Sequence, residues 1–192
     1  MKGYEEREYN EGKDFTETTE EDNLLFHGAI IDLNKDKVRL PNGKTAPREY
    51  VKHRGGVAVL AVDQNGFIPL VRQYRYPLRR HLWEIPAGKL EVGEDPDDAI
   101  RRELREEAGL VAQEITSLGM FYPTCGYSNE IIRLYLATGL SYVGAKPDEG
   151  EFLEIKYVHV DELYQKCLSG EIQDSKTIVA VLKYASLKRS VN

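Results

Sequence analysis

The chain has 192 residues, 41% hydrophobic and 30% charged, enough for one domain with a full core, and no apolar run in it approaches a membrane span. Its net charge of −6 is unevenly placed: residues 1–22 hold nine acids against three bases, and the remainder balances at 23 of each. A neutral body with an acidic arm lacks the basic footprint that binding a nucleic-acid backbone requires, yet leaves small anionic substrates open, because bound metal ions can invert a site's polarity.

Residues 1–22, polar and acidic with scattered aromatics, read as a flexible arm or one ordered only by docking, followed by a single domain over 23–192. Strand character begins at Leu24. Asn42-Gly43 signals a hairpin between Val38-Arg39-Leu40 and the segment around Glu49-Tyr50-Val51. Gly56–Val62 is a short apolar run expected to be a buried strand, and Asn65-Gly66 turns the chain into Phe67–Tyr74. Later, Ile131–Ala137 and Leu153–Val160 read as strands. Asp161 is placed to cap a helix reaching about Leu168, and Asp174 another reaching about Leu187. Strands on both sides of one strong helix, with helices at the end, predict a single α/β or α+β domain.

That strong helix begins at Asp95-Pro96-Asp97-Asp98. Asp95 suits the N-cap, Pro96 the first helical position, and the acids complement the helix dipole. Gly109 supplies a left-handed stop about thirteen residues on. Ile100, Leu104 and Ala108 recur at i, i+4 and i+8 and form an apolar stripe. Glu103, Glu106 and Glu107 fall at i, i+3 and i+4, so three carboxylates converge and repel one another. Arg102, four residues before Glu106, offsets only part of that charge. Oxygen ligands without neighbouring Cys or His favour Mg²⁺ or Mn²⁺ over Zn²⁺. The competing reading is a solvated acidic helix face.

The segment Gly88–Leu110 runs G-x5-E-x7-R-E-U-x-E-E-x-G-U, with U aliphatic: Gly88, Glu94, Arg102, Glu103, Leu104, Glu106, Glu107, Gly109 and Leu110. All nine positions resemble the Nudix box. The resemblance implies a Nudix-type α/β/α sandwich around a mixed β-sheet and a divalent-metal-dependent hydrolase of nucleoside diphosphates linked to another group. Val71-Arg72-Gln73-Tyr74-Arg75, Glu84-Ile85-Pro86-Ala87-Gly88 and Pro123–Glu130 resemble the ADP-ribose pyrophosphatase branch. Where that branch typically has Pro-Gly, this chain has Cys125-Gly126, with Pro123 two residues earlier.

The resemblance implies metal ligation by Glu103, Glu106, Glu107 and the backbone carbonyl of Ala87, with Mg²⁺ as cofactor and Mn²⁺ as substitute. It implies that Arg102 holds Glu106, that Glu94 supports the loop or the outer metal shell, and that Glu149, Glu151 or a box glutamate takes the proton. Arg72 and Arg75 are candidate clamps for phosphate oxygens, because guanidinium forks suit them. Arg48 and Glu49 are candidates for the substrate pocket, and Phe26 or Tyr50 for stacking on the base. The branch further implies a homodimer that exchanges strands 24–53. The four histidines are dispersed, Ser128 lacks a nucleophile elbow, and Cys125 and Cys167 are expected to be free thiols. The expectation is a cytoplasmic enzyme converting ADP-ribose to AMP and ribose 5-phosphate, without nucleic-acid or membrane partners. Its alternatives are hydrolysis of another nucleoside diphosphate sugar and a non-catalytic ADP-ribose sensor.

Overall fold

In the computed structural model, which describes residues 13–146 and 152–190, the chain divides after Lys52 into two units. The first is a small sheet of β1 (Thr18–Glu21), β2 (Leu24–His27), β3 (Ile31–Arg39) and β4 (Thr45–His53), with β3 pairing all the others. Asn34, Asp36 and Val38 of β3 are buried in alternation, as a half-covered strand requires. The turn after β3 uses Gly43 at φ 81°, and its N–H donates to the Leu40 carbonyl at 2.9 Å. β1 lies inside the acidic segment read as an arm. It is strand because the edge of β3 accepts it, with Glu20 and Glu21 facing the cations Arg39 and Lys37 across the pair.

The second unit carries the box. Its mixed sheet runs β8 (Ala87–Lys89), β5 (Gly56–Ala61), β10 (Ile132–Tyr142), β9 (Leu110–Phe121), with β5 and β10 parallel. A second sheet of β11 (Glu154–His159), β6 (Phe67–Arg75) and β7 (Arg80–Glu84) is antiparallel. Every residue of β5 is buried because both faces of the mixed sheet are covered. Val57, Val59 and Ala61 pack with Ala99, Ile100, Leu104 and Ala108 of α1 (Pro96–Ala108). Ala58 and Leu60 join the opposite core with Leu163 and Cys167 of α2 (Val160–Ser169) and Ala180 and Val181 of α3 (Ser175–Ser190). Helix, sheet and helix thus stack as the α/β/α layering predicts.

Two elements depart from the sequence reading. β9 had no clear signal because it is an edge strand with mostly exposed side chains and a register shift where it meets Leu134 and Tyr135. The N-cap of α2 is His159 rather than Asp161: the imidazole Nδ1 accepts the Asp161 N–H at 3.3 Å, which starts the helix at Val160. Asp174 does cap α3, its Oδ2 accepting the Thr177 N–H at 2.9 Å. Among the described residues no helix is long and apolar enough to cross a membrane.

Candidate active site

Local chemistry fixes α1. The Asp95 carboxylate accepts the Asp97 N–H at 2.8 Å, Pro96 opens the helix, and Gly109 closes it in the left-handed region at φ 66°. A Cβ on Gly109 would lie 2.4 Å from the Ala145 amide nitrogen, so glycine is required there for close approach as well as for conformation. The helix buries two adjacent stripes. Ile100, Leu104 and Ala108 form the predicted apolar one, and Ala99, Glu103 and Glu107 form the second. Two of the three converging carboxylates are therefore almost withdrawn from water, Glu103 at 9% exposure and Glu107 at 2%.

Buried carboxylates are costly unless they find partners. Glu107 Oε2 accepts the Ala87 N–H at 2.8 Å. Glu103 lies against the bare Cα of Gly88, where a Cβ would fall 1.8 Å from Oε1. This is the physical reason for glycine at the start of the box. Arg102 distributes itself over three acids. Its Nε donates to Glu94 Oε1 at 2.9 Å and its Nη2 to Glu94 Oε2 at 3.1 Å, while Nη1 donates to Glu103 at 2.7 Å and Glu106 at 2.9 Å. The Glu94 hydrogen bonds, reinforced by Glu103 and Glu106, raise the already high pKa of the guanidinium. Glu94 is held below its ordinary range chiefly by Arg102, and it also accepts the Glu91 N–H at 2.9 Å, which ties down the loop before the helix.

One guanidinium thus serves Glu94, Glu103 and Glu106, with Glu107 further along the same helix. Among the described residues no three acidic, His or Cys side chains are gathered as a ready-made metal cluster; Arg102 and the Ala87 amide hold these carboxylates instead. The donor set still fits a hard divalent cation. It offers carboxylates, two of them on buried residues, beside a strand end where Gly88 lets Glu103 lie against the backbone.

Arg75 joins this region from β6. It grips Glu84 side-on, Nε to Oε1 at 2.7 Å, and the charge of Glu107 is among those acting on it. Arg72 pairs instead with Glu154 of β11 at 2.8 Å, on an exposed rim. In the first unit, Arg48 makes a two-pronged pair with Glu17, Glu49 pairs with Lys35 at 2.8 Å, and the Tyr50 hydroxyl donates to Asp36 at 2.9 Å. The Phe26 ring is exposed. Glu149 and Glu151 lie outside the described residues.

The buried group around Glu84 was not legible beforehand. Glu84, at 1% exposure, is bound by Arg75 and by Lys176 of α3, and Lys176 also donates to Asp174 at 2.8 Å. Its one sequence signal is a carboxylate between Trp83 and Ile85, in an otherwise apolar strand end.

A NUDIX domain profile matches residues 52–180, from the end of β4 into the first turns of α3. The chain belongs to the Nudix family. It is 43% identical over 181 residues to an ADP-ribose pyrophosphatase of Bacillus subtilis (strain 168), covering 93% of this chain and 97% of that one. It is also 43% identical to a methanol dehydrogenase activator of Bacillus methanolicus, covering 94% and 98%. An ADP-ribose pyrophosphatase of Mycobacterium tuberculosis (strain ATCC 25618 / H37Rv) is 44% identical over 82% of this chain and 78% of its own. The crystal structure of an ADP compounds hydrolase superposes with a TM-score of 0.81 at 18% identity, covering 94% and 98% of the two chains, and it shares the fold. The protein is accordingly a Nudix hydrolase, from a family that generally uses divalent metal ions.

Proposed function

We propose that the protein hydrolyses the diphosphate of ADP-ribose to AMP and ribose 5-phosphate, with Mg²⁺ as cofactor and Mn²⁺ as substitute. The observation that carries this reading is the placement of Glu103 and Glu107, both buried, beside Ala87-Gly88, with Glu106 on the same helix. The two relatives named ADP-ribose pyrophosphatase supply the substrate. Glu103, Glu107, Glu106 and the Ala87 carbonyl would hold the metal, which supplies Lewis acidity that offsets diphosphate charge and acidifies water. Arg102 holds Glu103 and Glu106 in place through Nη1. Arg75 and Arg72 bind phosphate oxygens with the guanidinium fork. Glu149 or Glu151, or a box glutamate, takes the proton from the attacking water. Arg48 and Glu49 reach the substrate from strands 24–53 exchanged within a homodimer, and the enzyme works in the cytoplasm without nucleic-acid or membrane partners.

The test is phosphate release from ADP-ribose with Mg²⁺, coupled to a phosphatase acting on the products, beside UDP-glucose, GDP-mannose, NADH and diadenosine polyphosphates. ADP-ribose is expected to be turned over fastest, with Glu107→Gln inactive. Preference for another compound would move the specificity to that nucleotide, and binding of ADP-ribose without turnover of any compound would make the protein a sensor. A second reading, activation of a dehydrogenase, is favoured by the relative named methanol dehydrogenase activator. It predicts that methanol dehydrogenase from Bacillus methanolicus gains activity when this protein is added, and no gain would remove it.

A further inference from the structure

Glu84 closes β7 three residues before Ala87 and is the most deeply buried acid of the second unit. Two cations divide its carboxylate. Arg75 lies side-on, Nε to Oε1 at 2.7 Å and Nη2 to Oε2, while Lys176 takes Oε2 from the other element. Lys176 is itself 12% exposed and shared with Asp174, at 11%. The four charges cancel, so the group is balanced without any ligand. Next to Lys176, the fully buried Thr177 receives the Ile85 N–H on Oγ1 at 2.9 Å and donates to Asp174 Oδ2 at 2.6 Å. The first turn of α3 therefore grips both the carboxylate at the end of β7 and the backbone leading into Ala87-Gly88.

Arg75 is the member of the group that reaches solvent, its side chain 38% exposed. Nε and Nη2 are spent on Glu84, and among the described residues no hydrogen bond uses Nη1. A side-on grip fixes the plane of a guanidinium and leaves its remaining edge to an incoming anion. We propose that Lys176, through Glu84, is a positioning residue that sets the plane of the Arg75 guanidinium for the substrate diphosphate, an inference that rests on the reading of Arg75 as a phosphate ligand. The physical role of Lys176 is to hold Oε2. Without Lys176 the carboxylate is tied to Arg75 and no longer to α3, so the pair can turn together on the soft terminal torsion of Glu84, and Arg75 loses its fixed orientation.

The experiment is a double-mutant cycle of Lys176→Met and Arg75→Ala, read as KM and kcat for whichever nucleoside diphosphate sugar the wild type hydrolyses. A failure of the ADP-ribose assignment therefore leaves the cycle usable. Lys176→Met is expected to raise KM about tenfold with kcat nearly unchanged, to add nothing in the Arg75→Ala background, and to be largely rescued by Lys176→Arg. Equal losses in both backgrounds, or an unchanged KM in folded Lys176→Met, would overturn the proposal while leaving Arg75 as a ligand. A wild-type KM in Arg75→Ala would overturn both. Should Lys176→Met fail to fold by circular dichroism, Glu84→Gln, which keeps the shape and removes the charge Arg75 reads, enters the same cycle with the same outcomes.

Discussion

Two charged clusters stand at the two ends of the Glu84–Gly88 strand-and-loop, and they are built on opposite principles. Around Glu84, two acids meet two cations and every charge is answered within the protein. Around Arg102, one guanidinium is shared by three acids and a fourth, Glu107, lies buried beside them. A balanced buried cluster orders its surroundings, and removing one member leaves an uncompensated charge. One guanidinium divided among three acids makes Arg102 the member on which that group depends. The first ties α3 to β7; the second ties the box helix to the loop before it.

The largest effect should separate them at once. Glu107→Gln is expected to lower turnover on the order of a thousandfold or more, with a melting temperature at or above that of the wild type, because it relieves repulsion. Steady-state kinetics at saturating Mg²⁺ and a thermal melt check it, and near-normal kcat would remove Glu107 as a metal ligand. Glu84→Ala should do the reverse on stability, costing about 3–5 kcal/mol in urea unfolding by leaving Arg75 and Lys176 facing one another. A loss below about 1 kcal/mol would mean that the balance around Glu84 contributes little.

Arg102→Lys tests the sharing. A compact ammonium has no flat fork with which to serve Glu94 with two donors and Glu103 and Glu106 with a third. Metal affinity, titrated by Mn²⁺ binding, should fall about 10- to 100-fold, as for other residues that orient metal ligands. The smallest effect comes with acid. Burial pushes the Glu84 carboxyl up, but the hydrogen bond from Arg75 and the charge of Lys176 outweigh it and leave its pKa below the ordinary 4.5. A group with a depressed folded-state pKa contributes stability that is present above its unfolded value and is lost as pH falls through the folded one. The urea midpoint should thus decline below about pH 4.5, and the decline should be shallower in Glu84→Gln. Parallel curves for the two proteins would show that acid acts elsewhere.

Much of the catalytic half was legible in the sequence because its geometry is local. A helix places i, i+3 and i+4 on one face, so Glu103, Glu106 and Glu107 share a side of α1, and Asp95 and Gly109 bound the helix as their residue types imply. The uninterrupted apolar run of β5 likewise announced a strand covered on both faces. The candidate substrate arginines were legible as types but not as partnerships: Arg75 pairs with Glu84 and Arg72 with Glu154, which depends on which strands lie side by side.

The tertiary structure alone decided the rest. Lys176 and Glu84 are 92 residues apart, as are Ile85 and Thr177, and no spacing rule connects them. β9 carried too weak an alternation to declare itself, since an edge strand keeps most of its side chains in water and takes its register from β10. What the sequence determined by itself was the box helix, its two caps and which residues share its face, because backbone periodicity sets those relations within a few residues. Which of its glutamates are buried, what Arg75 holds, and how α3 reaches Glu84 and Ile85 were decided only when distant segments packed, since burial and charge pairing belong to the assembled core.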